Sequence, residues 1–146
     1  MSDRPDNEPS VGPHEGRELD LMLAGRKPLS MFSSVTNMDE WPDEATFDEV
    51  VASGRLTKAE TKRVLTCRDS STAEARCLLY AVPGEEWRIK AMMLVQDLYL
   101  SLVPGWRDDL DRIIGLLLGY DRQDIEHFVE ARAVRLSQLL ARPPAD

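Results

Sequence analysis

Histidine and cysteine are scarce in this 146-residue chain, with two of each. Cys67 and Cys77 lie ten apart, and His14 and His127 stand near opposite ends. A metal site needs more ligands at closer spacing, so no metal is expected. Two cysteines fit reduced core thiols, although strands at both positions would leave a disulfide geometrically open. There is no Gly-x-Ser-x-Gly elbow, and neither Cys has a neighbouring His or a Gly-rich turn, so no nucleophile signature is present. The glycines form no phosphate cradle, since Gly115 and Gly119 fall within or at the end of a helical stretch. Nucleotide cofactors therefore have no support, and no cofactor of any kind is expected. No apolar run approaches the roughly 18 residues of a membrane span. The opening MSDRPDNEPSVGPHEG has neither the basic nor the apolar region of a secretory signal. The expectation is a cytoplasmic protein without membrane contact.

Basic residues are missing from one part of the chain in particular. Of the 26 acids, 12 lie in the first fifty residues, against 4 of the 18 bases. That segment carries the whole net charge of −8, and the remainder balances. An acidic half repels phosphate and attracts basic surfaces. With a pI near 4.8, nucleic acid is not an expected partner. A protein with a basic surface is.

The 42% hydrophobic content is enough for a core. Residues 1–15, broken by Pro5, Pro9, Gly12 and Pro13, read as a disordered acidic tail, and 143–146 as a C-terminal one. Residues 16–142 read as a single globular domain. A short helix is expected from Arg17, with Leu19, Met22 and Leu23 on one face and Gly25 and Pro28 ending it. An extended segment, 29–34, follows. After Trp41-Pro42, Asp43 and Glu44 favour a helix start, and Phe47, Val50 and Val51 sit at i, i+3, i+4 before Gly54.

Residues 55–82 carry conflicting signals. Thr57-Lys-Ala-Glu60 matches a capping box and argues for a helix over 58–66. The β-branched residues and the Arg68–Thr72 polar cluster argue instead for a hairpin near 62–82, which is the preferred reading. Three helices are then expected near 85–103, 106–118 and 121–141. The first of these places Trp87, Ala91, Leu94, Val95, Leu98 and Leu102 on one face, with apolar residues around the rest of the axis. Inner faces for the others are Trp106, Leu110, Ile113, Ile114 and Leu117, then Ile125, Phe128, Val129, Leu136, Leu139 and Leu140. The fold class is α+β, a small antiparallel sheet packed on a helix-rich C-terminal half.

Two groups of residues carry candidate chemistry. Glu85, Glu86 and Arg88 place carboxylates beside a guanidinium, and His127 shares a helix face with Asp124 and Glu130. Both groups also suit a solvated or dipole-compensating role, and they define the alternative reading of a small enzyme. A third group is the acidic stretch 39–49, where Glu40, Glu44 and Asp48 recur every four residues beside Trp41 and Phe47. Aromatic side chains among acids suit a basic protein partner. DNA mimicry is a lesser alternative, since acids would then be spread over the whole chain. The leading expectation is a non-enzymatic binding protein of adaptor, chaperone or inhibitor type, contacting its partner through the acidic N-terminal portion.

Overall fold

The computed structural model describes residues 16–34, 41–66, 69–101 and 107–140. Both expected tails, Glu40, Cys67, Leu102 and Trp106 lie outside the described residues, as do the side chains of Leu136, Leu139 and Leu140. The elements run α1 (Glu18–Leu23), β1 (Leu29–Ser33), α2 (Glu44–Ala52), β2 (Thr57–Thr66), β3 (Thr72–Ala81), α3 (Trp87–Ser101), α4 (Arg107–Leu118) and α5 (Arg122–Leu140). The fold is α+β, with a three-stranded antiparallel sheet of order β1-β3-β2 and helices in the C-terminal half.

The hairpin reading holds over its helical competitor. Thr57-Lys-Ala-Glu60 lies in β2, paired with Ala81 through Leu78 of β3. Its β-branched residues favour a pleated surface, and a long neighbouring strand overrides a local cap signal. β3 is central, and Cys77 to Ala81 are all buried because both faces of the sheet are covered. Alternation along the strand sends Cys77, Leu79 and Ala81 to a core with Leu29, Ile89, Met92, Val95, Leu110 and Leu117. Leu78 and Tyr80 point the other way, to Met22, Phe32, Phe47, Val50 and Leu56. The result is three layers: α1 and α2, the sheet, then α3 and α4.

The C-terminal helices are joined by close approaches. Gly115 of α4 faces Ile125 of α5 so tightly that a Cβ there would stand 2.6 Å from Ile125 Cγ1. Gly119 ends α4 at φ +85°, and a Cβ on it would meet Pro28 Cδ at 2.5 Å. Two cations complete that end. Lys27 Nζ donates to the Leu118 carbonyl at 2.8 Å, and Arg88 Nη1 to those of Leu116 and Leu117 at 3.1 Å. Carbonyls left open at a helix C-terminus favour positive donors.

The α3 periodicity selects the buried side only in part, since of the expected face Val95 is buried and Ala91 packs on the core. Ile89, Met92 and Val95 are the buried residues, while Trp87, Leu94 and Leu98 are exposed. The helix is apolar around most of its axis, so spacing alone cannot select the side that meets the sheet. Ile113 of α4 and Phe128 of α5, also assigned inward, are exposed.

Candidate functional site

The acidic N-terminal portion builds a groove of about 470 Å³ between α1 and α2. Its floor is aromatic. Phe32 comes from β1 and Phe47 from the first turn of α2, with ring centroids 5.6 Å apart in an edge-to-face arrangement. Trp41 and Leu19 add apolar wall, and Glu18, Asp20 and Asp43 bring acids to the lining. Local sequence explains the placement. Asp43 caps α2, its carboxylate accepting from the Thr46 backbone N–H at 3.4 Å and from the Thr46 hydroxyl at 2.8 Å. Those Thr46 bonds hold the Asp43 carboxyl below its ordinary range.

The line of acids along α2 is engaged within the molecule. Glu44 accepts from Arg76 Nη2 at 3.1 Å and Nη1 at 3.3 Å, a bidentate geometry, and lies 3.6 Å from Lys58 Nζ. Lys58 donates to Asp48 at 2.8 Å, and Arg76 Nε to Glu60 at 2.6 Å. The Glu44 carboxyl is pulled down chiefly by the Arg76 bonds, and Lys58 is raised chiefly by Asp48. Trp41 is locked into the same network. Its indole N–H donates to Glu44 at 3.3 Å, and the Arg76 guanidinium stands 5.2 Å over its ring.

Of the residues expected to meet a partner, Trp41 is half-buried at the groove, while Glu44 and Asp48 are paired with Lys58 and are not part of its lining. Phe47 requires a correction. It is only 6% exposed and packs on Tyr80 with centroids 4.4 Å apart, so it is a core residue flooring the groove and not a free anchor. Sequence reasoning missed Glu18, Asp20, Phe32 and Thr46 as groove residues, because nothing in the local pattern brings α1 beside α2. It also missed Lys58 and Arg76. Their strand positions give each the same alternating face, but only the β2–β3 register shows that they converge.

The other candidate cluster resolves differently. Glu85 accepts from Arg88 Nε at 2.7 Å and from the Trp87 indole N–H at 3.1 Å. Arg88 extends to the end of α4, so the carboxylate–guanidinium pair is used in docking α3 on α4. Glu86 is exposed, and His127 is half-buried on α5, away from the hydrogen bonds made by Glu85 and Arg88. Among the described residues, no three His, Cys, Asp or Glu side chains gather where they could hold a metal ion. Cys77 is buried beneath Gln96 Nε2 at 3.6 Å, and burial pushes its thiol up.

No family model, curated protein or solved structure matches the chain. Among the described residues, no helix is long and apolar enough to cross a membrane.

Proposed function

We propose that this is a non-enzymatic cytoplasmic protein that binds a basic protein partner through its acidic N-terminal portion, with the α1–α2 groove as the contact. The observation that supports this reading is the pairing of an aromatic floor with an acidic lining. Trp41 and Leu19 offer apolar surface to a partner side chain above the floor of Phe32 and Phe47, and Glu18, Asp20 and Asp43 suit Lys or Arg flanking it. Trp41 is also held by two contacts, so little side-chain freedom is lost on binding. The acids that serve the partner on this reading are those in the groove lining. Glu44 and Asp48 already neutralise Lys58 and Arg76, and reversing them would strand those bases.

The test is capture from native cell extract at low and high salt, comparing the wild-type chain with Glu18→Lys/Asp20→Lys and with Trp41→Ala. A basic protein retained by wild type at low salt, released at high salt, and lost from both variants is the expected outcome. Equal retention by wild type and variants would overturn the reading.

A further inference from the structure

The groove between α1 and α2 borders on an arginine site within the chain itself, and that site shows what the aromatic wall accepts. Arg76 stands 5.2 Å over the Trp41 ring while two of its nitrogens donate to Glu44 at 3.1 and 3.3 Å. The indole N–H donates to the same carboxylate at 3.3 Å. A flat guanidinium lies over an indole and a carboxylate receives its N–H groups, a geometry that a lysine ammonium cannot copy. A ring has two faces, and Arg76 covers one. Trp41 also lines the groove, where Glu18, Asp20 and Asp43 supply further carboxylates.

Those three acids are not equally available. Both Asp43 oxygens accept from Thr46, and Glu18 acts on Lys27 through charge. The Asp20 carboxylate is exposed and makes no hydrogen bond or ion pair among the described residues. Exposed ion pairs contribute little by themselves and scarcely distinguish one cation from another. Selection therefore falls to the ring contact. An ammonium is compact and strongly hydrated, so contact with a ring strips water from it. A guanidinium is planar and more weakly hydrated. Its N–H groups radiate in the plane, toward carboxylates at the rim, while its face lies on the ring.

On the reading that the groove is the protein contact, we propose that the partner's cation there is an arginine. It stacks on the face of Trp41 opposite Arg76 and donates to Asp20, beside an apolar residue seated on Leu19. A partner segment with lysine at that position binds more weakly, although its charge is the same.

Titration of the isotope-labelled full chain with three synthetic peptides, followed by NMR, tests this. Each peptide sets a leucine between two copies of one residue in a glycine–serine background. That residue is arginine in the first, lysine in the second, and citrulline, planar but neutral, in the third. The arginine peptide should shift the Trp41 indole resonance, which is identified by its loss in Trp41→Phe. It should bind about tenfold more tightly than the lysine peptide, and the citrulline peptide no more tightly than the lysine one. Trp41→Leu should bring the arginine and lysine peptides to one affinity. Asp20→Asn, an exposed substitution, should weaken the arginine peptide about threefold with unchanged far-UV circular dichroism. Equal wild-type affinity for the arginine and lysine peptides, both weakened by Asp20→Asn, overturns the choice of arginine and leaves the groove reading intact. Binding that neither substitution alters overturns both. An arginine peptide that fails to move the Trp41 indole at millimolar concentration overturns the arginine site, whatever partner the extract yields.

Discussion

Lys27 shows how one side chain couples the fold to pH. It is 3% exposed, its ammonium donates to the Leu118 carbonyl, and it stands 5.0 Å over the Tyr120 ring. Burial lowers its pKa from 10.5 to about 8, with Glu18 opposing. Below pH 8 both folded and unfolded chains hold this proton, and the burial penalty is present in full. Between pH 8 and 10.5 the unfolded chain binds a proton that the folded chain has released, so stability rises with pH. Cys77 acts in the opposite sense, because its raised thiol keeps a proton that the unfolded chain loses. The difference between wild type and Lys27→Met isolates the lysine. In urea melts, that difference should grow in favour of wild type by up to roughly 3 kcal/mol across the window; a flat difference would contradict it. Phe47 gives a second prediction at this scale. Phe47→Ala should cost about 3–5 kcal/mol, whereas Asp20→Asn should stay within about 0.5 kcal/mol by the same melts. The i, i+3, i+4 spacing with Val50 and Val51 made the core role of Phe47 legible. Its neighbourhood of acids suggested a surface role, and burial decides against that.

At the level of elements, the junction of α4 with its neighbours is where packing is least forgiving. Gly115→Ala would drive a methyl group into Ile125 and should destabilise by about 1–3 kcal/mol. Adding Ile125→Ala should cost less on that background than alone, since the truncation removes the clash. A double-mutant cycle in denaturant reads the coupling, and strict additivity would show that the helices separate without strain. Most elements were readable from local signals: the Gly25 and Pro28 stop of α1, the Asp43 start of α2, and the buried run ending β3. Two were not. The Thr57–Glu60 cap pattern was locally valid, and only pairing along the length of β3 sets it aside. The face of α3 was unreadable because apolar residues surround the helix, and which side is buried depends on where the sheet lies. The groove was illegible for the same reason. α1 and α2 contribute neighbouring walls, yet β1 separates them in sequence.

The charge imbalance of the whole chain was plain in the sequence, but its arrangement was not. Among the described residues, folding treats two groups of N-terminal acids differently. Glu44 and Asp48 are matched by Lys58 and Arg76, while Glu18, Asp20 and Asp43 line a groove with an aromatic floor. The sheet then separates that groove from the layer of α3 and α4 on its other face. Site-specific photo-crosslinking reads out whether a partner sits in the groove. A benzophenone amino acid placed at Thr46, on the groove wall, should give a discrete adduct with a basic protein in the native cell, and high salt should diminish it in extract. The same probe at exposed Glu130 on α5 should give none. Adducts of equal yield from both positions, or from Glu130 alone, would mean that the groove is not the contact.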